Sequence, residues 1–214
     1  MRLLYLNPNS TEAMTESMTC VAREAFGDAE VLGWTNADGP PAIQGPEDGA
    51  VAVEGLLALL PEARASAVDA IVIGCFDDTG LEALRGAAHC PVIGIGQAAM
   101  SLAALRSGHF AIVTTLEVSV PVIAANAQAY GHGRACTGVL ASGLPVLEVE
   151  RGGRVVEARL AGCIAEAETR GAGAVVLGCA GMSGLRAGLA ARARVPLIDG
   201  VVASAFMARA LACS

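Results

Sequence analysis

Two cysteines carry the chemistry that this sequence announces. Asp69-Ala-Ile-Val-Ile-Gly-Cys75-Phe-Asp-Asp-Thr-Gly80-Leu opens with an unbroken apolar run and then turns polar at Gly74-Cys75. Such a run predicts a buried strand, and the residues after it are helix-starting types. Ala172-Gly-Ala-Val-Val-Leu-Gly-Cys179-Ala-Gly-Met-Ser-Gly184-Leu repeats the strand, the Gly-Cys pair and, at the same offset, the Gly-Leu pair. A cysteine between a strand end and a helix start sits where an open α/β sheet holds its ligand. The helix dipole and free N–H groups there favour thiolate over thiol, so a lowered pKa is the expectation. Neither loop contains a histidine, so a Cys-His nucleophile has no visible base. Two opposed thiols suit another task. One removes a proton from a carbon and the other returns one on the opposite face, which is racemisation or epimerisation without a cofactor.

The flanking residues qualify this. Asp77 and Asp78 oppose thiolate formation beside Cys75, although both are also good helix caps. The second loop has Ala180-Gly181-Met182 instead, and Gly181 would let backbone N–H groups approach a developing oxyanion. Thr114 and Thr115, ending a strand that starts at Phe110, offer hydroxyls for the same purpose. Asn7-Pro8-Asn9-Ser10 ends the first strand, with Asn9 or Ser10 as the expected cap of the next helix. The Gly- and Pro-rich stretch from Asn36 to Pro46, with Gln44 in it, is long enough to be a lid or binding loop.

The elements that position these residues alternate. Strands are expected at Arg2–Leu6, Glu30–Trp34, before Cys75, at Pro91–Ile95, from Phe110, across Val139–Val149 with turns, before Cys179 and at Pro196–Asp199. Helices are expected between them, one at Asp48–Leu60 stopped by Pro61, others at Gln97–Arg106, Pro121–Tyr130, Val155–Arg170, Gly184–Arg192 and Val201–Ala212. Strand–helix alternation predicts parallel βαβ units, and self-similarity at half the chain length predicts a duplicated lobe. The predicted fold is therefore α/β, with two pseudo-symmetric doubly wound lobes facing each other across a cleft. Residues 1–96 plus 201–214 make the first lobe and 97–200 the second, the last helix crossing back to the first.

Composition narrows the function. With 214 residues, 54% hydrophobic, 16% charged and a net charge of −7, the chain is a well-buried globular protein without a basic patch for nucleic acid. No stretch of 18 apolar residues suggests a membrane span, and the start does not read as a signal peptide, so a cytoplasmic protein is expected. Seven cysteines without CxxC spacing argue against a disulfide framework, and His89, His109 and His132 form no metal-ligand pattern. Neither metal nor cofactor is expected.

Taken together, Asn7-Pro8-Asn9, Gly39-Pro-Pro-Ala-Ile43-Gln44-Gly45, Gly74-Cys75-Phe-Asp-Asp-Thr-Gly80-Leu81, Phe110-Ala-Ile-Val-Thr114-Thr115, Leu177-Gly-Cys179-Ala-Gly-Met182 and Ile198-Asp-Gly-Val201 resemble the hydantoin racemase branch of the aspartate/glutamate racemase superfamily. The resemblance covers essentially the whole chain. It implies cofactor-independent racemisation at the Cα of a 5-substituted hydantoin or of allantoin, with Cys75 and Cys179 as acid and base. It further implies that Asn7, Pro8, Phe76, Thr114, Thr115, Ala180 and Gly181 line the site, and that the protein is a homo-oligomer acting on a small molecule. Gln44 and Thr79 depart from the family pattern, where Glu and often Pro are expected. Two other readings compete: a different enzyme of the superfamily, such as an amino-acid racemase or maleate isomerase, and a non-catalytic binding protein with a two-lobed cleft. Amino-acid and diacid enzymes need cations for a carboxylate, and no Arg or Lys lies in the presumptive site loops.

Overall fold

The computed structural model describes residues 1–27 and 30–213. Among the described residues, eight strands form two parallel sheets. The first contains β1 (Arg2–Asn7), β2 (Glu30–Thr35), β3 (Ala70–Ile73) and β4 (Val92–Gly94), in the order β2-β1-β3-β4. The second contains β5 (Phe110–Thr114), β6 (Cys136–Ala141), β7 (Val175–Leu177) and β8 (Leu197–Asp199), in the order β6-β5-β7-β8. Strands of the same rank take the same place in both sheets, as the internal repeat requires. Strands inside each sheet are mostly apolar because helices cover both their faces; β3 and β5, for example, are buried along their whole length.

The helices are α1 (Glu12–Phe26), α2 (Pro46–Ala58), α3 (Leu60–Ala65), α4 (Leu81–Ala87), α5 (Ile95–Ser107), α6 (Val120–Ala129), α7 (Val146–Arg151), α8 (Arg154–Thr169), α9 (Arg186–Ala190) and α10 (Gly200–Ala212). One apolar cluster joins the sheets: Tyr5 and Val72 from the first, Phe110, Ile112 and Val176 from the second, with Ala99 and Ala103 of α5 and Ala203 and Ala208 of α10. Alanine at these helical positions lets the helix backbones approach the sheets closely. Tyr5 Oη, buried under α10, donates to the Val201 carbonyl at 2.9 Å and fixes the last helix to the first strand.

Several local expectations are corrected. Thr11, rather than Asn9 or Ser10, is the residue that precedes α1, and its side chain makes no capping bond. Pro61 does not stop a helix; it sits in the first turn of α3, where its missing N–H costs nothing. Val139–Val149 is not strand-like along its length. The strand ends at Ala141, Gly143 turns the chain at φ 78°, and Val146 and Val149, three apart, are the buried side of α7. After Cys179 the chain makes a tight 3₁₀ segment, Ala180–Leu185, before the short α9, so a single helix from Gly184 to Arg192 is not formed.

Candidate active site

The two cysteines reach one cleft by the same local device. Gly74 donates its N–H to the Leu6 carbonyl of β1, and Gly178 donates to the Val113 carbonyl of β5, each at 2.8 Å. A Cβ on Gly74 would stand 2.7 Å from Met18, and one on Gly178 would stand 2.7 Å from the Val113 carbonyl oxygen. Glycine is therefore what allows the strand end to press on its neighbour before the cysteine turns out of the sheet. Each cysteine carbonyl then closes a tight turn, Asp78 N–H to Cys75 O at 3.0 Å and Met182 N–H to Cys179 O at 3.1 Å.

Cys75 and Cys179 face a common space of about 360 Å³. Phe76, Asp77, Thr114, Thr115 and Ala180 line it as well, so seven of the residues singled out in the sequence converge there. Four others do not line it. Asn7, wholly buried, donates to Asn9 Oδ1 and Thr15 Oγ1 and braces the loop. The Pro8 carbonyl accepts from Asn36 Nδ2 at 3.1 Å. Gln44 is turned to α7, its Oε1 accepting the Val146 N–H at 3.2 Å. Gly181 follows in the same tight turn, and its backbone N–H acts to lower the Cys179 pKa.

Asn9, Met14, Ile43, Ser119 and Val146 also line the space, and none was singled out as a site residue from the sequence. Asn9 and Ile43 belong to the motifs that carry the resemblance. Ser119 has no local signal, because its role depends on the approach of the two halves. It stands by the Asp77 carboxyl and partly offsets the rise that burial gives it.

The carboxylates divide their tasks. Asp78 does not start its own helix; Gly80 precedes α4 at φ 75°, with no side-chain cap. Instead Asp78, itself in the left-handed region at φ 51°, accepts the Gly96 and Gln97 N–H groups at 2.9 and 2.7 Å and caps α5. Tyr130 Oη donates to it at 2.8 Å. Burial pushes the Asp78 carboxyl up to about 7 against the pull of these three donors, and burial raises Asp77 to about 6 against its bond to Ser119.

The thiols are not acidified. Burial, reinforced by the Asp77 charge, pushes Cys75 far above the ordinary thiol range, while the Thr79 hydroxyl at 3.6 Å partly offsets this. Burial likewise pushes Cys179 up to about 12, with the Gly181 N–H acting the other way and Glu150 and Asp77 adding to the rise. The helix-dipole expectation fails for a geometric reason. The helix after Cys75 begins only at Leu81, and the short 3₁₀ segment after Cys179 has little dipole to offer. Desolvation is the larger effect at both thiols.

Residues 3–208 match the sequence profile described as Asp/Glu/Hydantoin racemase. The chain belongs to that family. It is 43% identical over 213 residues to a hydantoin racemase of Rhizobium meliloti, covering 99% of this chain and 88% of the relative. It superposes on the allantoin racemase of Klebsiella pneumoniae with a TM-score of 0.94 at 37% identity, covering 100% of this chain and 88% of that one. The allantoin racemase of Pseudomonas fluorescens gives a TM-score of 0.89 at 30% identity over 99% of this chain and 90% of that one. Membership makes the chain an isomerase of the racemase type. Among the described residues no helix is long and apolar enough to cross a membrane, and no group of three or more His, Cys, Asp or Glu side chains is placed to hold a metal ion.

Proposed function

We propose that the protein racemises a 5-substituted hydantoin or allantoin, without a cofactor, by proton transfer between the ring carbon and two thiols. The observation that carries this reading is that Cys75 and Cys179, from equivalent turns of two equivalent sheets, face one cleft. A ring carbon held between them meets a base on one face and an acid on the other. One sulfur, as thiolate, takes the proton; the other thiol delivers its own to the opposite face, and the roles exchange with direction. The ring proton lies between a carbonyl and a nitrogen, so the carbanion is an enolate. A thiolate of raised pKa is a stronger base toward such a carbon acid than an ordinary one.

The lining supports a neutral ring over an amino acid. It offers Asn9, Thr114, Thr115 and Ser119 as hydrogen-bonding groups and Asp77 as acceptor, with no Arg or Lys to hold a carboxylate. In this proposal Phe76 and Ala180 pack on the ring, Thr114 and Thr115 serve its carbonyl oxygens, Asp77 accepts a ring N–H, and Gly181 supports the enolate side through its backbone. Asn7, Pro8 and Gln44 act from behind by holding Asn9 and the 39–45 loop. The proposal also includes lobes of 1–96 plus 201–214 and 97–200, a homo-oligomeric state and a cytoplasmic location; residues 28, 29 and 214 of the first lobe lie outside the described structure.

The test uses single enantiomers of several 5-substituted hydantoins and of allantoin in deuterium oxide, with nothing else added. Loss of optical rotation with deuterium uptake at the stereocentre is expected, and both Cys75→Ser and Cys179→Ser should lack it. Activity surviving either substitution would sink the two-thiol reading. Activity on none of these rings, with a single-enantiomer amino acid turned over instead, would overturn the substrate class.

A further inference from the structure

We infer that the recess between α1, α9 and α10 is an effector site for a small phenol, whose hydroxyl bonds Asp199 Oδ2. The recess has a volume of about 900 Å³ and shares no lining residue with the cleft that holds the two thiols. Asp199, on its wall, is only 4% exposed. Its Oδ1 accepts from Ser183 Oγ at 3.0 Å and from the Val201 N–H at 2.8 Å, the second bond capping α10. Its Oδ2 is buried too, and no described residue donates to it. A buried carboxylate oxygen without a partner costs free energy, so it calls for a donor.

The internal repeat shows which donor fits. β4 ends at Gly94 before α5, as β8 ends at Asp199 before α10. A Cβ on Gly94 would run into the Asp78 carboxyl, so Asp78 and Asp199 fill the same place and cap equivalent helices. Asp78 has a further donor, the Tyr130 hydroxyl at 2.8 Å. Tyr130 follows α6, which corresponds to α1: Ile123 and Ala127 enter the shared core as Met18 and Ala22 do. Three residues on, the first pair leads to Tyr130 and the second to Ala25. Ala25 lines the recess at Asp199, as Tyr130 lines a counterpart at Asp78. The flanks agree, with Gly80 and Ala83 bordering one recess and Gly184 and Ala187 the other. Alanine thus leaves open the space that a phenol ring takes in the other half.

The remaining walls suit an aromatic ring. Val21, Val202 and Phe206 supply apolar surface, and Phe206 is 53% exposed. The Arg186 charge already bears on Asp199, so a neutral donor fits better than a second cation. Occupancy reaches the reactive loop through Ser183. That residue belongs to the 3₁₀ segment after Cys179, and the Met182 N–H of the segment closes the Cys179 turn. In the first half the Asp78 N–H closes the Cys75 turn while Tyr130 holds the Asp78 carboxyl. A bound phenol steadies the Cys179 turn as Tyr130 steadies that of Cys75.

The probe is p-cresol, the tyrosine side chain as a free molecule, beside toluene and benzylamine of like size. At a few times its dissociation constant, p-cresol should raise Tm by about 2–3 °C. Toluene, which lacks the donor, and benzylamine, a cation, should bind several-fold more weakly in calorimetric titration. Hydrogen exchange should slow across 180–185 and at the start of α10 when p-cresol binds. Ala25→Tyr gives the recess the chain's own phenol and should abolish the response. Four results would each overturn the inference: no p-cresol binding, toluene or benzylamine binding as tightly, unchanged exchange at the start of α10, or a full response in A25Y. Should A25Y fail to fold, the ligand series and the exchange map decide on the parent chain. None of these readouts uses turnover, so the test stands or falls apart from the racemase reading.

Discussion

Gln44 Oε1 accepts the Val146 N–H at 3.2 Å and ties the loop between β2 and α2 to the first turn of α7 in the other half of the molecule. Ile43 and Val146, on either side of this bond, both line the cleft. The bond therefore bears on how the cleft closes. Gln44→Ala should raise KM several-fold and leave kcat within about twofold, since a bond of about 0.5–1.5 kcal/mol is lost. Gln44→Glu keeps an acceptor toward the same N–H and should stay near the parent. Steady-state kinetics on both variants checks this, and an equal loss in the two would reject the latch.

Asp77 gives the expected pH dependence its position. Its carboxyl, raised by burial to about 6, is neutral below that pH and ionised above it in the free enzyme. Because the ionised form is the one that accepts a ring N–H in the proposed reaction, kcat/KM should rise through pH 6, and Asp77→Asn should remove that limb. Stability moves oppositely. The folded pKa lies above the unfolded value near 4, so this residue's contribution is fullest below pH 4 and is lost as pH rises to about 6. Melting curves across that window should therefore slope less in Asp77→Asn than in the parent.

Asp78 is a matter of stability more than of catalysis. Asp78→Ala strips acceptors from the Gly96 and Gln97 N–H groups and from Tyr130. Two of these donors are backbone groups at the start of a buried helix, so a loss of at least about 2 kcal/mol is expected. That corresponds to a fall of roughly 4–8 °C in Tm for a chain of this size. A change below about 1 °C would mean that water replaces the carboxylate without cost.

The two glycines before the cysteines should differ in tolerance. Gly74→Ala meets the flexible end of Met18, which can move, whereas Gly178→Ala meets the Val113 carbonyl of the adjacent strand. Gly178→Ala should therefore destabilise by about 1–3 kcal/mol, and Gly74→Ala by clearly less. Denaturant unfolding of the pair checks the order, and a reversal would show that Met18 is the more rigid neighbour.

The repeat and its chemistry were legible in the chain alone. Uninterrupted apolar runs and regular strand–helix alternation are local signals, and they are enough for two parallel sheets with Cys75 and Cys179 at equivalent turns. Thr114 and Thr115 were legible from their types at the end of an apolar strand, and Phe76 from the family resemblance. Helix starts were less so, because Asp78 is a good capping residue whose target lies one strand away, and nothing local says that α5 outcompetes α4 for it. The placements of Ser119 and Gln44 came only with the folded chain. Each meets the other half of the molecule at a separation no pattern in the chain records. The thiol pKa was decided there too. Local types pointed to a helix dipole and a low value, but the desolvation of both thiols arises only when the chain folds around them, and it outweighs a few donors.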